Sequence, residues 1–256
     1  MLINYDPTLV MLSTLVAITG ALTGLTLKEG YQSGIRRGPL GLLSGAIIIG
    51  GSIWSMHFIA MLALRLPVQV NFTFIDTMLS LYVAIVGTGF GLWIVGKRKL
   101  GLLSVPAGGL LMGGAIASMH YIGMNAMRGC AISYWMPSVA ASVAVAVIAT
   151  GAALWFALRK RGARETLLGG LLLGLTIPSV HYTGMVATSF SYMAANPESI
   201  APTLSQQNLA FIIALATFAI CGVFLFLFSV LALGSPEVNS AGLTQVKARG
   251  RDNSFA

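Results

Sequence analysis

Charge is what this chain has least of. Only 9% of its 256 residues are Asp, Glu, Lys or Arg, whereas 56% are hydrophobic; a soluble globular domain carries roughly 25% charged residues. Mean hydropathy is +0.85. That scarcity excludes an ordinary water-soluble fold and leaves an integral membrane protein. Cysteine is nearly absent: Cys130 and Cys221 are the only two, expected at different depths, so a disulfide framework is excluded. No acidic pair, nucleophile triad or phosphate-binding loop occurs, which argues against hydrolase and transferase chemistry; the chain is read as a non-enzyme, with redox chemistry at a metal site left open. All lysines lie outside the apolar runs, which removes a retinal Schiff base. Histidine is scarce too, with three in all, and their placement carries the functional reading.

What the chain has is long apolar runs. Seven are long enough to cross about 30 Å of hydrocarbon at about 1.5 Å per residue, near 8–27, 39–64, 74–96, 103–127, 137–159, 165–190 and 209–234. They read as helices, because a barrel would show short alternating segments. Thirteen of the 15 basic residues fall after the first, third, fifth and seventh runs: Lys28, Arg36, Arg37, Lys97, Arg98, Lys99, Arg159, Lys160, Arg161, Arg164, Lys247, Arg249 and Arg251. Only Arg65 and Arg128 lie on the other side, so the positive-inside rule puts the N-terminus outside and the C-terminus in the cytoplasm. The net charge of +8 is therefore topological and suited to anionic membrane lipid, not to nucleic acid. The first run lacks the basic start of a signal peptide and is expected to be retained.

The histidines occupy three copies of one heptapeptide: "SMHFIAM" at 55–61, "SMHYIGM" at 118–124 and "SVHYTGM" at 179–185. Their spacings of 63 and 61 residues each enclose two helices, so the copies share one orientation. Gly50, Gly113 and Gly174 lie seven residues before each histidine, about two turns away, where a missing side chain allows close helix approach. The expected architecture is all-α: a seven-transmembrane-helix bundle (1–234) of three parallel two-helix repeats plus a seventh helix, followed by a disordered cytoplasmic tail (235–256). All three histidines should sit at one depth in the outer half of the bilayer, where pseudo-threefold packing would bring the imidazoles together.

In each copy the histidine has a methionine four residues later, a neighbour on one helix face. His57 with Met61, His120 with Met124 and His181 with Met185 form a soft, neutral ligand set. Such a set suits copper, Cu(I) above all, better than magnesium or calcium, and zinc would want cysteine or carboxylate nearby. Met56 and Met119 are candidates to complete a site from a neighbouring helix, or simply to pack. Tyr121, Tyr182 and Asn125 are candidate supporting groups around an imidazole. A structural polar cluster and a proton relay are the other readings of three buried histidines.

The three copies, on alternate helices of a seven-helix chain, resemble the MHYT domain, a bacterial integral membrane sensor domain, over about residues 8–234. The resemblance implies a bundle in the bacterial inner membrane whose Met, His and Tyr residues bind copper and sense a diatomic gas such as oxygen, carbon monoxide or nitric oxide. By position it nominates Met56, His57 and Met61; Met119, His120, Tyr121 and Met124; and His181, Tyr182 and Met185. Phe58, Ile59, Ile122 and Val180 depart from the motif. Family members are often fused to cytoplasmic output modules, whereas about 22 residues follow the seventh run here, so a separate signalling partner is expected. The alternatives are copper delivery or storage at the outer face, and haem binding by paired histidines.

Overall fold

The computed structural model describes residues 4–32, 39–96, 103–158, 163–192 and 202–233. It contains seven helices: α1 (Pro7–Gln32), α2 (Pro39–Ala63), α3 (Phe74–Gly96), α4 (Ser104–Asn125), α5 (Met136–Leu158), α6 (Ala163–Val186) and α7 (Gln206–Leu233). Local signals fix several starts. Asp6 accepts from the backbone N–H of Thr8 at 2.9 Å, with Pro7 in the first helical position, where its missing N–H costs nothing. Ser205 caps α7 through the N–H of Asn208 at 3.2 Å. The basic connections at 36–37, 97–99 and 159–161, and the tail at 235–256, lie outside the described residues.

Six helices are long and apolar enough to cross a membrane, one fewer than expected from the sequence; α4 is the exception among the described helices. Its 22 residues include five glycines, two serines and His120, which lower its hydropathy without shortening it.

Short strands, unforeseen in the sequence, tie the helices together at one end. β1 (Asn4–Tyr5) pairs with β2 (Leu64–Arg65), β3 (Asn71–Thr73) with β4 (Met127–Arg128), and β5 (Cys130–Tyr134) with β6 (Thr188–Tyr192), all antiparallel. Each pair joins the start of an odd helix to the end of the following even one, closing three helical hairpins. β7 (Thr203–Leu204) adds to β3 and brings in the start of α7. The ends of α2, α4 and α6 therefore share one end of the bundle, and these three helices run parallel. Arg65 pairs with Asp6 at 2.6 Å and Arg128 with Asp76 at 3.6 Å, so the two arginines that depart from the topological charge pattern are both neutralised locally.

The helices form a closed ring, α1 to α6 in order and α6 back onto α1, with α2, α4 and α6 also touching one another at the centre and α7 lying outside against α1 and α2. The membrane-crossing window of α2 is 83% buried, whereas those of α3 and α5 are 33% and 28% buried. Even helices thus build the interior, and odd helices the wall. The repeated glycines make this possible: a Cβ on Gly50 would stand 2.6 Å from Cα of Ile85, on Gly113 2.6 Å from Cα of Val147, and on Gly174 2.5 Å from Cα of Ile18. Each glycine lets an even helix press its backbone against the neighbouring odd helix.

Along the central helices the repeat stacks like on like. Ile49, Met112 and Leu173 stand eight residues before the histidines; Ile53, Ile116 and Ile177 four before; Met61, Met124 and Met185 four after, and every one is buried. Four-residue steps keep one helix face inward. Along these axial positions the three histidines form one polar layer between apolar ones.

Three predictions test this frame. Gly113→Ala is expected to lower the thermal unfolding midpoint in detergent, because its methyl meets Val147 backbone. Gly114→Ala, with nothing within 4 Å, should raise stability by about 0.5 to 1 kcal/mol. The Arg65 guanidinium also holds the Asp6 carboxyl below its ordinary value of 3.8. The stability of this clip is complete above that pH and lost as pH falls through the lowered value. Unfolding midpoints followed into acid should show this loss in the parent and not in Asp6→Asn.

Candidate metal centre

His57, His120 and His181 lie 5 or 6 residues from the ends of their helices, or about 8 to 9 Å at about 1.5 Å per residue. Because α2, α4 and α6 run parallel and touch, the equal depth becomes contact. Ring centroids are 5.1 Å apart for His57 and His120, 5.0 Å for His57 and His181, and 5.1 Å for His120 and His181. Each pair meets edge to face, at 84°, 74° and 86°. This is a near-threefold arrangement, as expected from the repeat. All three residues are at most 2% exposed.

The Nδ1 atoms face one another: His57 to His181 at 3.0 Å, and His120 to His57 at 3.3 Å. The Nε2 atoms are buried with no hydrogen-bond partner among the described residues. A neutral imidazole has one N–H and one lone pair, so a single Nδ1 at the junction of two contacts cannot serve both as donor. A cation among the three Nδ1 atoms would engage all three lone pairs at once. Three nitrogens each about 2 Å from a common centre stand about 3.5 Å apart, close to the spacings present. The three histidines meet the geometric requirement for holding a metal ion.

The methionines nominated with them, Met56, Met61, Met119, Met124 and Met185, are all at most 5% exposed and belong to the same core. Met61, Met124 and Met185 form the layer between the triad and the strand-closed end. The tyrosines are placed differently. Tyr121 packs its ring edge on His120, with centroids 4.9 Å apart, but its hydroxyl reaches α5 and meets Ser142 Oγ at 2.6 Å. Tyr182 stacks between His181 and Tyr5, at 5.0 and 5.9 Å. In the first repeat Phe58 fills the same place against Phe72. The aromatic after each histidine thus anchors an even helix to the segment preceding an odd one. Phe72, Tyr5 and Tyr134, whose ring lies 5.4 Å from that of Tyr121, are the outer partners; they escaped the sequence reading, although each stands two residues before an odd helix. Asn125 is exposed at the end of α4, where its carbonyl accepts from Arg128 at 2.7 Å, and it is not brought to the triad.

Known proteins share this pattern. The MHYT model, described as a bacterial signalling protein N-terminal repeat, matches residues 50–108 and 113–170, starting each time at the repeated glycine. The chain belongs to the MHYT family. MHYT-containing relatives include MucR of Pseudomonas aeruginosa, named a bifunctional diguanylate cyclase/cyclic di-GMP phosphodiesterase, 40% identical over 73% of this chain and 28% of that protein. NbdA of the same species, named a cyclic di-GMP phosphodiesterase, is 33% identical over 86% of this chain and 29% of its own length. The signalling protein YkoW of Bacillus subtilis is 31% identical over 77% and 26%. The chain thus spans under a third of these relatives. No solved structure matches it.

The outward reach of the Tyr121 hydroxyl gives a test of the MHYT tyrosine. Tyr121→Phe should cost about 0.5 to 1.5 kcal/mol in unfolding free energy while leaving metal stoichiometry unchanged, as read by chemical denaturation and metal analysis of one preparation.

Proposed function

We propose that this chain is the input part of a membrane sensor, in which His57, His120 and His181 hold one copper ion through Nδ1, with Met61, Met124 and Met185 available on the outward side. The convergence of three buried imidazoles, with His57 Nδ1 at 3.0 Å from that of His181 and 3.3 Å from that of His120, carries this reading. The site is electrically neutral, since no acidic side chain is buried among the described residues. A bound ion therefore keeps its whole charge in an apolar core, and burial cost rises steeply with charge. That favours monovalent copper over a divalent ion, in agreement with imidazole and thioether softness. Copper so held would supply a redox change or an open position for a diatomic gas.

The protein's own part is positioning. The ring of helices excludes water, the three histidines report one another's position, and any shift in their spacing must move α2, α4 and α6 together. In this reading the strand-closed end faces outward, all seven helices reside in the bacterial inner membrane, the N-terminus is outside, and the change reaches a cytoplasmic signalling partner through the inner helix ends. The role is not enzymatic. Delivery of copper across the membrane fits less well, because the isoleucine and leucine-methionine layers beneath the triad offer no ligand path. Haem also fits less well: two axial imidazoles would have a macrocycle between them, whereas these Nδ1 atoms touch directly.

Protein purified after copper-replete growth should contain one copper per chain, and His57→Ala, His120→Ala and His181→Ala should each lower Cu(I) affinity by at least about 100-fold. Parent protein free of copper would overturn the metal assignment. Copper retained by all three variants would overturn the shared site.

A further inference from the structure

The back edges of the imidazoles are as ordered as the front. A Cβ built on Gly123 of α4 would collide with Nε2 of His57 and stand 2.9 Å from its Cδ2; one built on Gly184 of α6 would collide with Nε2 of His120 and stand 2.8 Å from its Cδ2. Both glycines lie three residues after their own repeat's histidine, yet each accommodates the ring of the preceding repeat. The rings entering these recesses are at most 2% exposed, and their Nε2 atoms have no partner.

We propose that Gly123 and Gly184 are positioning residues for the triad, each a seat that accepts the Nε2 edge of one neighbouring imidazole and so turns its Nδ1 toward the axis. An imidazole can bind a metal through either nitrogen, and the hydrogen bond made by the other nitrogen usually decides which. Here no such bond exists, and the space left by two missing methyl groups takes its place. The pairing is directional, α2 into α4 and α4 into α6. The corresponding residue of the first repeat is Ala60, fully buried, so the third position carries the methyl that the other two lack. The seats are defined without reference to an ion, although their use in metal binding rests on the function proposed above.

The test uses the full chain in lipid, metal-free and with its three histidines labelled with 15N, which gives six ring nitrogens assigned through the three His→Ala variants. Gly123→Ala should shift the ring signals of His57 most, and Gly184→Ala those of His120, each with at least a tenfold loss of Cu(I) affinity in a separate titration. A general packing defect would move all three rings alike. Unchanged His57 signals in Gly123→Ala, or equal shifts of all three rings, would overturn the seat. If parent protein binds no copper while the selective shifts persist, the seats stand and the metal reading falls. Should Gly123→Ala fail to fold, His57→Ala in the same chain removes the ring that its methyl meets. Recovered folding supports the seat, and continued failure overturns it.

Discussion

Everything in this bundle depends on three polar rings held together where water is absent. A buried nitrogen without a partner costs about 1 to 3 kcal/mol, and the triad has several, so its persistence requires strong constraint from its surroundings. The surroundings supply it in layers. Isoleucines lie beneath the rings and methionines above, while glycines seven residues before each histidine bring the wall helices into backbone contact. The polar layer is therefore fixed by the apolar ones, which bear the energetic cost.

The threefold pattern is imperfect in an informative way. Tyr121 anchors its helix to α5 through Ser142, whereas Phe58 anchors α2 through ring packing on Phe72. The hydroxyl is thus one of two solutions to a bracing problem. Likewise Val180 is buried where the other repeats have Met56 and Met119, which is the behaviour of packing positions. The histidine and the methionine four residues later are the elements that every repeat retains.

Much of this was legible from spacing alone. A period of 63 and 61 residues equates depth and orientation, and identical surroundings then make convergence the natural packing. Gly50, Gly113 and Gly174 were readable as sites of close approach for the same reason. The short strands were not legible, because pairs of two to five residues are imposed by closure of the helical hairpins and leave no alternating pattern. Nor was the direction of the Tyr121 hydroxyl, which depends on where α5 lies. Asn125 was drawn in by nearness in sequence, but it stands past the turn that faces the axis. α4 counted as a span by length, yet its glycines and polar residues give it less affinity for lipid than its six companions.

That weakness of α4 bears on how the molecule is made. A helix that gains little from lipid alone owes its place to neighbours, here α3 before it and α5 after it. The ring itself closes only when α6 returns to α1, and His57 waits 124 residues for its contact with His181. During synthesis the first imidazole enters the bilayer long before its partners exist. The assembled triad is thus a certificate of completed insertion, and a chain interrupted before its third repeat carries two histidines and no site.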